Sequence, residues 1–193
     1  MLGLGASMNT SAVKAEEPNP YPSKVLFERS GNWTSDDTSI NTYRANLSIG
    51  TTEVDGISNY LIMEMNSTSG NTGDPILRLS VSDLSRDPAD YYDGNAGGDF
   101  KITAKALYPS GNSGTVTGAK LSFRIGTTPG GATNFGTADT WITGTQTRAT
   151  ENSDPDSDAT FFEVHFDDND PSEEVANGDQ MYLTDLKVEF IAD

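Results

Sequence analysis

The sequence contains no cysteine and a single histidine, His165. Without cysteine it has neither a disulfide framework nor a thiolate metal site, and one imidazole excludes zinc catalysis by several histidines. Long apolar runs are also missing: no stretch approaches the roughly 20 residues of a membrane-spanning helix, so we predict no membrane span. The function has to come from other residue types.

Basic residues are scarce. Twelve Lys and Arg stand against 29 Asp and Glu, which gives a formal net charge of −17. Such a chain repels phosphate backbones and anionic lipid surfaces, so we do not expect nucleic acid as a partner. The excess of acid favours solubility, and it also attracts divalent cations.

Apolar and polar residues alternate repeatedly, which is the period of a half-buried strand. In one example Phe100, Ile102, Ala104 and Ala106 share a face. Turn-forming segments such as 129–131 (Pro-Gly-Gly) separate the runs, and no helical stripe of apolar residues is sustained. We therefore predict an all-β domain over residues 24–193: a two-sheet antiparallel β-sandwich with jelly-roll topology. About nine strands are expected, at 24–28, 45–49, 60–65, 76–81, 100–106, 121–125, 141–147, 162–166 and 186–190.

Residues 1–23 lie outside this alternating pattern. They are polar and contain several prolines, and such ends fray unless something holds them. We interpret them as an extended N-terminal arm that docks on neighbouring subunits. A degenerate signal peptide, with a small-residue cleavage pattern before Glu16, is the alternative.

A loop with two adjacent tyrosines is the best candidate for sugar contact. Aromatic rings stack on the apolar faces of pyranose rings, and carboxylates fix the hydroxyl groups. Tyr91 and Tyr92 lie between turn-forming residues, with Asp90 and Asp93 on either side. Packing in the turn or a subunit contact is the competing interpretation. For Trp33 and Trp141, we expect structural roles in the core or at a seam.

Catalytic groups are poorly represented. His165 alternates with Val164 and Phe166, which predicts an outward side chain, and no nucleophile motif accompanies it. Among the many carboxylates, nothing selects a pair with glycosidase spacing. We therefore predict that the protein is not an enzyme.

Six short strings along residues 24–191 carry a family resemblance: 26–28 (Leu-Phe-Glu), 31–33 (Gly-Asn-Trp), 98–105, 141–145, 161–166 and 181–190. In their order the chain resembles a jelly-roll carbohydrate-binding module of the galactose-binding-like type. That resemblance implies pairing of the first and last strands and a structural calcium ion, for which Glu28 and Asp185 occupy the matching positions.

The segment 151–179 carries eleven acidic residues and no Lys or Arg. Asp154, Asp156 and Asp158 have the first ligand spacings of an EF-hand loop, but Ala159 replaces the required glycine and His165 replaces the bidentate glutamate. This excludes an EF-hand. It leaves a looser calcium site, formed by these aspartates or by Asp167, Asp168 and Asp170, or a solvated acidic loop.

Two hypotheses for function follow. The first is a structural or adhesive subunit on the surface of a virion or another extracellular assembly, a decoration-type protein docked through residues 1–23. The alternative is a carbohydrate-binding module that recognises a polysaccharide or a host glycan.

Overall fold

The computed structural model describes residues 22–66, 74–91, 97–150, 161–168 and 175–193. Within these ranges the chain is all-β, and no helix there is long and apolar enough to cross a membrane. Four short 3-10 turns cover Ser35–Ser39, Val81–Asp83, Pro88–Tyr91 and Val116–Gly118. The eleven strands are β1 (Lys24–Arg29), β2 (Asn41–Tyr43), β3 (Ala45–Gly50), β4 (Tyr60–Met65), β5 (Ile76–Ser80), β6 (Gly98–Leu107), β7 (Ala119–Ile125), β8 (Thr128–Asn134), β9 (Trp141–Ala149), β10 (Phe161–Asp168) and β11 (Gln180–Ala192).

The strands form two antiparallel sheets, which confirms the predicted β-sandwich. The six-stranded sheet has the order β3-β4-β11-β6-β9, with β1 also paired to β11. The five-stranded sheet has the order β2-β5-β10-β7-β8. Strand β11 pairs with β6 on one side and with β4 and then β1 on the other. The first and last strands therefore pair, as the family resemblance implied.

The core lies between the inner faces of the two sheets. Phe100 on β6 lies 5.7 Å, centroid to centroid, from both Phe162 on β10 and Phe190 on β11. All three rings are fully buried, and the edge-to-face contact of Phe100 with Phe162 crosses from one sheet to the other. Because Phe162 points inward, strand alternation turns Glu163 and His165 to the outer face of the five-stranded sheet.

Two of the eleven strands, β2 and β8, were not expected from the sequence. Strand β2 has only three residues, too few to show alternation. Strand β8 includes Pro129 and Gly131, which were predicted to lie in a turn. It is an edge strand, where proline is tolerated. Gly131 has φ 62°, and a Cβ there would lie 2.5 Å from Thr145 O, so this bulged position requires glycine.

Several predictions fall outside the described residues. The arm at 1–23 does so almost entirely, because only its last two residues are described. Ser23 Oγ there accepts a hydrogen bond of 2.9 Å from Ala192 N. The docking role of the arm stays a prediction, as does the division of the chain at residue 23. Four further groups also lie outside the described residues: Tyr92, Asp93, the Asp154–Asp156–Asp158 set, and Asp170.

Candidate functional site

The outer face of the five-stranded sheet carries a row of charged residues that lie opposite one another on neighbouring strands. Glu163 on β10 is in register with Arg78 on β5 and Arg124 on β7. Asp167, four residues further along β10, is in register with Lys120. Directly opposite residues in antiparallel strands share a face, so each outward carboxylate of β10 has a cation beside it.

Glu163 is the centre of this row, and its side chain has no exposed area. Arg78 Nε donates to its Oε1 at 2.7 Å, and the same guanidinium makes an ion pair through Nη2. Arg124 Nε lies 3.6 Å from Oε2. Burial alone raises the pKa of Glu163, but hydrogen bonds from His165 and Arg78 outweigh it, so the pKa lies below its usual value. The carboxylate is therefore ionised and holds two arginines.

His165 shares the same carboxylate. Its Nε2 lies 2.9 Å from Glu163 Oε2, and only 7% of the residue is exposed. Because an ionised carboxylate only accepts hydrogen bonds, Nε2 must carry the proton and donate it. The outward direction predicted for His165 is confirmed by its register with Ser122 on β7, whose Oγ donates to Asp167 at 3.0 Å.

A groove of about 300 Å³ lies above this face. Its lining includes Ile76, Ser122, His165 and Asp167 along the strands, with Pro129 near one edge. At the other edge stand Tyr43 and Arg44, and Asp74 and Arg124 also line the groove. A depression with mixed polar and apolar lining suits a polar ligand that also has apolar faces.

The edge formed by Tyr43 and Arg44 has an unusual backbone. Tyr43 ends β2 in one sheet and Ala45 begins β3 in the other, so Arg44 is the single residue between these two strands. Arg44 adopts φ 54°, in the left-handed region, and its carbonyl accepts a hydrogen bond of 2.9 Å from Asn66 N. A non-glycine residue in this conformation carries strain of roughly 1–3 kcal/mol, which is a recurrent feature of functional sites.

The two side chains at this edge pack on each other. The Arg44 guanidinium lies 4.8 Å from the centroid of the Tyr43 ring, a cation–π geometry. Tyr43 is nevertheless 53% exposed, which makes it the most exposed large apolar side chain among the described residues. The groove thus has one accessible aromatic ring that is held in orientation by its neighbour.

The predicted sugar loop has a different structure from the one expected. Tyr91 is only 1% exposed, and its ring centroid lies 4.2 Å from that of Phe190. The prediction that Tyr91 is an exposed platform is therefore wrong: the 3-10 turn Pro88–Tyr91 directs its ring into the core. Asp90 is exposed and forms an ion pair of 2.9 Å with Arg86. A sugar role for Tyr92 and Asp93 stays a prediction.

The predicted calcium ligands lie near the pairing of the first and last strands. Glu28 is exposed on β1. Asp185, at a bulge in β11 with φ 49°, accepts a hydrogen bond of 2.7 Å from Ser30 Oγ. Within the described ranges, no three acidic, His or Cys side chains cluster closely enough to hold a metal ion. Calcium at Glu28 and Asp185 stays a prediction.

The two tryptophans have structural contacts. Trp33 is 2% exposed and belongs to the core cluster. Trp141 is half-buried on the outer face of the six-stranded sheet, where it packs edge-on against Tyr60 at 5.9 Å and donates from Nε1 to Val54 O at 3.2 Å.

No protein-family model matches the sequence, and a search of curated proteins finds no match. Solved structures do resemble the fold. The CBM22-1 xylan-binding domain from Paenibacillus barcinonensis aligns with a TM-score of 0.52 and 10% identity, over 89% of this chain and 97% of that one. The CBM22-1-CBM22-2 tandem domain of the same organism aligns with a TM-score of 0.50 and 11% identity, over 89% of this chain and 47% of the tandem chain. The chain therefore has the β-sandwich fold of carbohydrate-binding modules.

Proposed function

We propose that this protein is a non-catalytic carbohydrate-binding module, and that the groove on its five-stranded sheet binds a polysaccharide. Of the two functions predicted from the sequence, the fold supports this alternative better than the virion subunit. The observation that carries the proposal is the exposed ring of Tyr43 beside a row of fixed charged groups. The ring offers a stacking surface, and the charged groups offer hydrogen bonds to hydroxyls.

Glu163 supports binding over catalysis. A glycosidase acid needs a carboxyl group with a raised pKa that is free to give a proton to the leaving oxygen. Hydrogen bonds from His165 and Arg78 hold the pKa of Glu163 low, and both of its oxygens are engaged. Its role in the proposal is to orient the arginines.

The proposal includes an extracellular location, because polysaccharides of this kind are extracellular polymers. A virion-surface or assembly role through residues 1–23 stays a separate prediction, since the residues that would carry it are mostly outside those described.

Affinity electrophoresis in gels containing soluble polysaccharides tests the function. We expect retardation of the wild type by at least one of xylan, mannan, β-glucan and xanthan. Tyr43→Ala should weaken binding about tenfold or more, or ~1.4 kcal/mol, because it removes the stacking surface. Tyr43→Phe should retain most of the affinity.

Ile191→Ala is the matched control, because Ile191 is 38% exposed and lies on the other sheet. It should bind like the wild type. The proposal fails if no polysaccharide retards the protein, or if Tyr43→Ala binds as well as the wild type.

A further inference from the structure

The arginine at the edge of the groove has no acidic partner. Among the described residues, no carboxylate oxygen lies within 4.0 Å of the Arg44 guanidinium. Its Nη1 is buried from solvent without a hydrogen-bond acceptor. Arg29, Arg78, Arg86 and Arg124 each have a carboxylate partner. In a chain with 29 acidic residues, an arginine left without one is unexpected.

The local charge of the groove also differs from that of the chain. On this face Glu163 is shared between Arg78 and Arg124, and Asp167 is paired with Lys120 at 3.4 Å. The sharing leaves one positive charge in excess at Glu163, and Arg44 adds a second. Asp74, which also lines the groove, offsets one of them. Over these described side chains, in the groove and in the charged row beneath it, four cations stand against three carboxylates, whereas the whole chain has a net charge of −17.

The backbone conformation that places the Arg44 side chain at the groove costs conformational free energy. A left-handed residue between two sheets is strained, and the guanidinium lies over the Tyr43 ring at 4.8 Å, with no carboxylate partner among the described residues. A guanidinium presents its donors in a planar fork that matches a carboxylate. A carboxylate group on the ligand is therefore the partner that best fits the Arg44 guanidinium.

We infer that the groove binds a polysaccharide carrying uronic acid residues, with Arg44 as the ligand for the sugar carboxylate. This inference rests on the proposed carbohydrate-binding function and specifies its ligand class. The overall charge restricts the ligand further. A continuous polyanion would be repelled by the acidic chain beyond the groove, so the fitting ligand carries isolated carboxylates on a mostly neutral backbone.

Isothermal titration calorimetry with paired polysaccharides tests the inference. Glucuronoxylan and xanthan are each compared with the same polymer after chemical reduction of its carboxyl groups to primary alcohols, which removes the charge and keeps the backbone. We expect roughly five- to tenfold tighter binding to the unreduced polymer of at least one pair, the range for a partly exposed charge-assisted contact. The preference should shrink in 1 M salt, where the Debye length is about 3 Å.

Arg44→Gln should abolish the preference, so that this variant binds the unreduced and the reduced polymer with equal affinity. Lys105→Gln is the matched control, because Lys105 is a cation on the outer face of the other sheet, above the Trp141 ring. It should keep the preference. A thermal melt of Arg44→Gln establishes that the variant is folded.

The possible outcomes separate the two proposals. Equal binding of reduced and unreduced polymers, or an undiminished preference in Arg44→Gln, overturns the uronic acid inference and leaves carbohydrate binding standing. If the protein binds none of the four polymers in the two pairs, and no neutral polysaccharide retards it, both proposals are overturned. Binding to neutral polysaccharides alone overturns only the inference.

Discussion

The outer faces of the two sheets both carry aromatic rings, but they use them differently. On the six-stranded sheet, the rings of Tyr60 and Tyr182 stack at 4.7 Å, and Trp141 packs against Tyr60. Residues 51–59 approach this cluster, since Val54 O accepts the indole hydrogen bond. On the five-stranded sheet, Tyr43 has the Arg44 guanidinium over its ring and remains 53% exposed. On the six-stranded sheet the rings pack together and stabilise the fold, whereas on the five-stranded sheet one ring remains accessible.

The charged groups of the two faces differ in the same way. Glu189 on the six-stranded sheet is paired with Lys101 and Lys187 and is 18% exposed. Glu163 on the five-stranded sheet is fully buried among its cations. Exposed ion pairs contribute little to stability, whereas breaking a buried one is costly. The comparison therefore predicts large effects at Glu163 and small ones at Glu189.

The largest expected effect is that of Glu163→Gln. The amide cannot accept from Arg78 and His165 on both of its terminal atoms, so one donor faces an N–H group. We expect a loss of about 2–3 kcal/mol in the free energy of unfolding, less than for a wholly buried pair because Arg78 is 42% exposed. Urea denaturation measures it.

Glu189→Gln serves as the reference in the same experiment and should cost less than about 1 kcal/mol. Equal losses in the two variants would show that the two faces do not differ as described.

The next effect separates stability from binding. Trp141→Ala removes a half-buried ring and its hydrogen bond to Val54, so it should destabilise the protein by about 1–2 kcal/mol without changing polysaccharide affinity. Tyr43→Ala should weaken polysaccharide binding and leave the melting temperature close to that of the wild type. Thermal melts and binding titrations on both variants would contradict the comparison if either variant changed both quantities strongly.

The smallest expected effect is in the pH dependence. Because the pKa of Glu163 is lowered in the folded protein, its contribution to stability is complete above its usual pKa of 4.5 and is lost as the pH falls through the folded value. Wild type should therefore lose more stability than Glu163→Gln between about pH 6 and about pH 3.

Asp37 contributes in the same direction in both proteins. Burial raises its pKa, but hydrogen bonds from Arg29 and Thr34 outweigh burial, so its pKa is also lowered. The difference in pH dependence of stability between the wild type and Glu163→Gln therefore reports the contribution of Glu163 alone. Parallel pH profiles from urea denaturation would contradict the assignment.

Alternation along single strands predicted much of the fold. It located nine of the eleven strands found in the described residues and predicted the outward direction of His165, which its register with Ser122 confirms. The sequence did not show which outward residues would meet. Arg78 and Glu163 are 85 positions apart, and their contact depends on the order of strands in the sheet. Such pairings arise from topology, which local periodicity does not contain.

The two tyrosine sites show the same limit. Tyr91 was expected to be exposed because turn-forming residues surround it, but packing against Phe190 overrides that local signal. No sequence pattern indicated that Tyr43 is exposed, because β2 is only three residues long. The exposure of Tyr43 depends on the corner at Arg44 that follows it.

The link between β2 and β3 also affects the energetics of binding. Since Arg44 lies between strands of different sheets and its carbonyl is hydrogen-bonded to Asn66, its backbone has little freedom left to lose. Ordering a flexible side chain or loop on association costs about 0.5–1.5 kcal/mol per side chain, and a residue that is already fixed avoids part of that cost. The strained corner therefore acts as preorganisation: part of the entropy needed to form the binding edge is lost when the protein folds, before any ligand arrives.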